Sequence, residues 1–368
     1  MSDDRLTDLE SVLREEVPYP YHYLPADRPK VEDVKTVVIF QKKNLGDAVL
    51  LLPVIQNLSR LMDSVQIQVV VRASCIPIFS GIPKVTCHEM PGRWRDWVEL
   101  IGRLSNTDIF LDFQNTPRYR WLGVMLRARV RSGLPVRTCW VRDTHPVSNR
   151  ELMTRHQIQR NLDVLRRLGM PVSDQESKIR LPKHLSPSLD VKTRTYIVVH
   201  PGSRWMFKSL TIDQWVQLID AIAERNLCSI VITGGDTEAE MHLAQKLALN
   251  EAVENRCGRT SVGELMALIQ GARGFIGVDS FAAHLANAYA IPGLVLFGPS
   301  DPKRWGPRPG DSLKVPQIDR AKFPCMPCNL DGCGGGKISM CLMSLETKTL
   351  LAEFDSVMSD ELSCANSH

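Results

Sequence analysis

Three short stretches hold residues whose types and spacing could do chemistry. In Asn44-Leu45-Gly46-Asp47, Gly46 allows a tight strand-to-helix turn and Asp47 lands near the start of the helix that follows. Asp47 can serve there as a plain N-cap, or as a general base that takes a proton from an attacking hydroxyl. His200-Pro201-Gly202-Ser203, with Lys208 five residues on, follows a strand and offers backbone N–H groups and a cation to a phosphate. This pattern matches neither a P-loop nor the dinucleotide fingerprint. Gly277-Val278-Asp279-Ser280-Phe281-Ala282-Ala283-His284 runs from a strand end through small polar residues into a helix, whose N-terminus could stabilise a diphosphate. His284 in its first turns reads equally well as a satisfied core histidine.

Two further groups stand out. Cys325, Cys328, Cys333 and Cys341 are spaced C-x2-C-x4-C-x7-C within a glycine-rich loop. Four thiolates there could hold a closed, structural zinc or iron, or could remain reduced thiols or pair as disulfides. Between Arg118 and Arg167 there are 12 arginines and no lysine, against Asp143, Glu151 and Asp163. Such a field is either a set of solvated helix faces or an attractor for an anionic acceptor or membrane surface, and arginine suits bidentate phosphate contacts. No nucleic-acid motif accompanies it.

The elements that must place these residues are alternating apolar strands and helices. Continuous apolar runs read as buried strands at Lys35–Phe40, Val65–Val71 and Ile109–Phe113, with an apolar helix over Ala48–Leu61 after the first. The pattern restarts beyond the Pro/Ser-rich stretch Pro182–Pro187. Strands are expected at Tyr196–His200, Ser229–Thr233, Phe275–Val278 and Gly293–Phe297, and helices at Thr211–Arg225 and Ala282–Tyr289. The chain is therefore expected to hold an arm over 1–30, one α/β domain over 31–185, a second over 186–345 that carries the cysteine loop, and a helix and tail over 346–368. At 368 residues, with 43% apolar and 23% charged residues, it is sized for two such domains. No signal peptide and no run of about 20 apolar residues is read, and with the cysteine usage this implies a reducing, cytoplasmic setting.

Taken in order, several of these pieces resemble the heptosyltransferase family of lipopolysaccharide assembly, glycosyltransferase family nine, over roughly residues 35–345. They are Asn44-Leu45-Gly46-Asp47 with Pro53, Asp112-Phe113-Gln114, Arg131–Leu134, His200–Ser203 with Lys208, and Thr233-Gly234-Gly235. Further along come Gly258–Ser261 with Glu264-Leu265, Asp279-Ser280 with His284–Ala286, and Phe297–Pro302. The resemblance implies an α/β GT-B fold, two Rossmann-like domains with parallel sheets facing across a cleft. It implies an inverting transfer of heptose from ADP-heptose to a lipopolysaccharide core acceptor, with no cofactor needed for catalysis.

Carried over by position, Asp47 would be the base and Lys208 would neutralise the departing diphosphate. Gly202, Ser203, Thr233, Gly234, Gly235, Glu264, Asp279, Ser280 and His284 would bind the donor. Asn44, Gln114, Arg118 and Arg120 would bind an anionic glycolipid acceptor, placing the enzyme peripherally at the inner face of the inner membrane. Phe281 departs from the family's usual glycine and should make close backbone approach to a phosphate harder. Two competing readings are a protein acceptor of the autotransporter type and a non-catalytic nucleotide-sugar-binding module.

Overall fold

The computed structural model describes residues 33–114, 116–135, 143–145, 147, 155–173, 179, 181, 195–225 and 228–365. The expected arm, the Pro182–Pro187 stretch, Cys139, and Arg137, Arg142 and Arg150 lie outside them. Two compact units form: residues 1–43, 53–73 and 83–177 make the first, and residues 44–52, 74–82 and 178–368 make the second.

The first unit is built on five parallel strands: β1 (Thr36–Gln41), β2 (Gln66–Val71), β3 (Val85–Glu89), β4 (Ile109–Asp112) and β5 (Val130–Gly133), in the order β3-β2-β1-β4-β5. β1 sits centrally, with Val37 in register with both Ile67 and Ile109. Its apolar run is buried on both faces, as continuous Val/Ile/Phe strands require. β3, not anticipated from sequence, is an edge strand whose residues Val85–Glu89 are all partly or fully exposed, so it lacks the buried apolar signature.

The helices, in chain order, are α1 (Leu45–Val49), α2 (Leu52–Leu61), α3 (Ile76–Phe79), α4 (Trp94–Arg103), α5 (Trp121–Met125) and α6 (Gln157–Arg167). They continue with α7 (Ile212–Ala223), α8 (Glu238–Leu247), α9 (Val262–Gln270), α10 (Phe281–Ala288), α11 (Pro302–Trp305), α12 (Met340–Met343) and α13 (Thr347–Ala365). The single helix expected over Ala48–Leu61 is broken between α1 and α2. Pro53 is the reason: it has no N–H to donate and is tolerated only in a first turn. On the first unit's sheet, α4 and α5 pack Leu100, Leu104, Leu122 and Leu126 against Phe40 and Phe110.

The second unit has six parallel strands: β6 (Tyr196–His200), β7 (Ser229–Ile232), β8 (Val253–Asn255), β9 (Gly274–Val278), β10 (Gly293–Leu296) and β11 (Leu313–Lys314), ordered β11-β10-β9-β6-β7-β8. Four of these match the expected strands to within a residue at either end. Helix α7 opens with a Thr211/Gln214 capping box and α9 with a Ser261/Glu264 one, each satisfying amides that helix geometry leaves unpaired. The core joins Trp215, Ile219, Ile232, Val278 and Leu296 to Leu350, Phe354 and Val357 of α13. Strand order reverses between β6 and β9, and at such a switch point the carboxyl ends of the strands present their loops to a ligand. Among the described residues no helix is long and apolar enough to cross a membrane.

Candidate active site

Lys208 and Asp279 meet at that switch point. The loop after β6 carries Lys208 and the end of β9 carries Asp279, and Lys208 Nζ donates to Asp279 Oδ2 at 2.7 Å. The Lys208 side chain is 21% exposed and that of Asp279 10%, so the pair is reachable but not freely solvated. The loop is held from within. Ser209 Oγ donates to the Pro201 carbonyl at 2.6 Å and accepts Trp215 Nε1–H at 2.8 Å, and Ser203 Oγ donates to the Trp205 carbonyl at 2.9 Å.

Asp47 belongs to this same unit and stands in the first turn of α1. Asn44 is the N-cap, so Asp47 is not the capping residue. The turn lies against α10: a Cβ on Gly46 would come 3.0 Å from His284 Cδ2, a tight approach. His284 is half-buried, and burial holds its imidazole below the usual histidine range. Asp279 and Asp47 pull it up while Lys208 pushes it down, which brings all three charges within electrostatic reach of one ring. Ser280 is the N-cap of α10 and makes no side-chain cap hydrogen bond; its Oγ is buried without a partner among the described residues. Phe281 is the first helical residue, so it keeps its backbone N–H among those the helix start presents.

The expected donor glycines have an occupant of the protein's own. Glu240 is 6% exposed, and a Cβ on Gly202 would lie 2.7 Å from its Cγ and one on Gly235 2.8 Å from its Oε2. Its carboxylate accepts the Gly235 N–H at 3.1 Å and the Thr237 hydroxyl at 2.8 Å. Sequence reading missed Glu240; the clue was a glutamate following Thr237 at helix-capping spacing just after Gly234-Gly235. Thr233 is fully buried, and its Oγ1 lies 2.9 Å from His200 Nδ1. Its hydroxyl is thus occupied inside the fold, a correction to the expected donor contact. Burial drops His200 to about 4 and keeps it neutral. Glu264 closes the α9 capping box, accepting the Ser261 N–H at 2.7 Å, which holds its carboxyl below the usual range. It borders a groove of about 630 Å³ that Pro77, Met266 and Tyr289 also line.

Of the acceptor candidates, Asn44 is exposed in the second unit, and Gln114, Arg118 and Arg120 lie in the first. Arg118 is exposed, its guanidinium carbon 5.7 Å from the Tyr119 ring centroid. Gln114 is 7% exposed, and its Nε2 has no partner among the described residues. Arg120 overturns its expectation. It is 1% exposed, with Nε 3.3 Å from Asp112 Oδ2 and Nη1 3.0 Å from Asp143 Oδ2, and it also donates to the Leu134 carbonyl. Its charge is spent inside the first unit. Sequence showed the charge but not that two carboxylates would bury with it.

Cys325 and Cys333 are exposed and Cys341 is buried. The Cys341 thiol is pushed up by burial, with Cys333 and Cys328 near enough to add to the shift. Cys333 Sγ accepts the Met340 N–H at 3.4 Å. Among the described residues no three His, Cys, Asp or Glu side chains stand in an arrangement able to hold a metal ion.

Residues 97–334 match the family model Glycosyltransferase family 9 (heptosyltransferase). The chain is 26% identical over 288 residues to lipopolysaccharide heptosyltransferase 3 of Escherichia coli, covering 71% of this chain and 82% of that one. In fold it is similar to the glycosyl transferase family 9 of Veillonella parvula, with a TM-score of 0.74, 17% identity, and coverage of 91% of this chain and all of that one. It is similar also to the ADP-heptose lipopolysaccharide heptosyltransferase II of Escherichia coli, with a TM-score of 0.71, 19% identity, and coverage of 89% and 99%. Two all-parallel sheets, these likenesses and a family match over most of its length lead to one assignment: the chain belongs to glycosyltransferase family 9 and has the GT-B fold.

Proposed function

We propose that this glycosyltransferase moves heptose from ADP-heptose to a lipopolysaccharide core acceptor with inversion at the anomeric carbon and without a catalytic metal. The observation that carries the reading is the gathering of Asp47, Lys208 and Asp279 about His284 in one unit, beside the uncapped start of α10. The printed names of the relatives support the sugar, the nucleotide and the acceptor class.

In this mechanism an acceptor hydroxyl attacks the anomeric carbon from the face opposite the diphosphate. The new C–O bond forms as the C–O bond to the β-phosphate breaks, and the hydroxyl proton passes to Asp47. ADP departs with the bonding pair. Its growing charge is met by Lys208 and by the first N–H groups of α10, with the Ser280 hydroxyl as a further donor. Asp279 orients the lysine. Neutral His284 fills the space between the turn of α1 and α10, holding Gly46 and therefore Asp47 in place. Such an acceptor is presented at the cytoplasmic face of the inner membrane, where exposed arginines of the first unit, Arg118 among them, would meet its anionic groups.

The test is incubation with ADP-heptose and a core acceptor, with product mass and the anomeric configuration read by NMR. Asp47→Ala should lower turnover by about 10²–10⁴-fold with donor affinity intact. A variant that keeps more than about a tenth of wild-type turnover removes Asp47 as the base.

A further inference from the structure

The Cys-rich segment after β11 is bonded to the loop that carries Lys208. Phe207, the residue before Lys208 in the short 3-10 turn Met206–Lys208, is buried, and its carbonyl accepts the Ser339 hydroxyl at 2.5 Å. Ser339 is 4% exposed and is the N-cap of α12, yet its side chain caps no amide of that helix. Its hydroxyl is turned to the neighbouring loop instead. Lys337 Nζ lies 5.6 Å from the Phe207 ring centroid, and Gln214 Nε2 of α7 donates to the Met343 and Leu345 carbonyls at 3.1 and 2.9 Å.

The same segment holds the loop after β10. The Asn329 N–H donates to the Pro299 carbonyl at 2.8 Å. Leu342 is fully buried against Gly298, where a Cβ would come 2.7 Å from Leu342 Cδ1. Between these anchors the chain closes on itself. The Cys333 N–H donates to the Ile338 carbonyl at 2.6 Å, and Lys337 pairs with Asp331 at 2.7 Å. In the sheet β9 lies between β6 and β10, and Asp279 follows its last residue. The segment thus ties together the two loops that flank the strand end carrying Asp279.

A lysine's long, flexible stem fixes its ammonium only as well as the backbone beneath it is fixed. We propose that Ser339 is a positioning residue: its bond to the Phe207 carbonyl sets the turn from which Lys208 reaches Asp279 and, through that pair, the departing diphosphate. This rests on the reading of Lys208 as the cation that meets the leaving group. The Cys-rich segment then serves the donor side of the reaction as a brace, without touching the donor.

The experiment is a double-mutant cycle of wild type, Ser339→Ala, Lys208→Ala and the double variant, with kcat, donor KM and calorimetric ADP affinity measured well below each thermal midpoint. Loss of the hydroxyl should lower kcat about 10-fold and ADP affinity about three-fold, the range one hydrogen bond spans. In the Lys208→Ala background the same substitution should change either quantity by less than about two-fold, because the group it acts through is gone. The lysine is also followed directly, by acetic anhydride labelling read by peptide mass spectrometry. Pairing with Asp279 keeps the amine protonated and slow to react, so Ser339→Ala should label Lys208 about three-fold faster relative to the other lysines.

Additive losses in the cycle, or an unchanged labelling rate, would overturn the proposal and leave Ser339 a structural contact alone. If Lys208→Ala itself turns over and binds ADP as wild type does, the catalytic reading of Lys208 falls, and the labelling rate by itself decides whether Ser339 holds the lysine in its pair. Ser339→Gly removes the same hydroxyl and takes the place of Ser339→Ala should that variant not fold.

Discussion

The Asp112–Arg120–Asp143 triad of the first unit and the Asp47–Lys208–Asp279–His284 group of the second use the same kinds of side chain to different ends. In the triad one guanidinium serves two carboxylates, and all three are sealed from water, with Arg120 1% exposed and Asp112 fully buried. In the second group the charges are only half-buried, and its one pair, formed at 2.7 Å, leaves the lysine side chain 21% exposed. Complete enclosure of a charged cluster locks a loop. Partial enclosure leaves the charges within reach of a ligand. Charge type alone does not separate the two cases, and exposure does.

The largest effects should come from breaking each group. Arg120→Ala leaves two carboxylates without their cation and should cost about 3–5 kcal/mol of unfolding free energy, measured by denaturant titration. Lys208→Ala should change stability far less but lower turnover about 10²–10³-fold and weaken ADP, because the leaving-group charge it meets grows in the transition state. A stable Arg120→Ala, or a Lys208→Ala that turns over normally, would erase the distinction between the two groups.

pH should sharpen the comparison, because the units respond with opposite sign. Two carboxylates sharing one guanidinium are raised by burial, so the first unit's stability from them is complete at low pH and is lost as pH rises through their folded values, about 6 for Asp143 and about 7 for Asp112. His200 is lowered to about 4, so its contribution is complete above the unfolded value of about 6.5 and is lost as pH falls from there toward 4. Hydrogen exchange by mass spectrometry, corrected for intrinsic rates, should show β4–β5 peptides losing protection from about pH 5 to about pH 8 while β6–β7 peptides gain it. Parallel responses in both units would refute the assignment.

What the sequence made legible follows the same physics. Central strands such as Val37–Phe40 and Ile197–Val199 are apolar on both faces and announce themselves. β8 and β11, of three and two residues, carry too little pattern to be seen, and β3 is too exposed. That Asp47, Lys208, Asp279 and His284 would fall near one another was legible, because each follows a strand end or lies in the first turns of a helix. Glu240 was missed and Arg120 misread for the opposite reason: whether a charge is exposed or enclosed depends on residues distant in the chain.

Glu264 is the mildest test, and it separates two roles that coincide in one carboxylate. As placed, it accepts the Ser261 N–H and completes the α9 capping box, work that a glutamine can also do. As a donor ligand it would accept a hydroxyl of the nucleotide's ribose, where loss of one hydrogen bond is worth roughly five-fold in affinity. Glu264→Gln should therefore keep the thermal midpoint of wild type yet raise the donor KM, since an amide accepts less strongly than a carboxylate. Glu264→Ala should lower both the thermal midpoint and donor affinity. If Glu264→Gln matches wild type in both measurements while Glu264→Ala loses only stability, the carboxylate is a helix cap alone, and Glu264 belongs with Arg120 among charges spent within the fold.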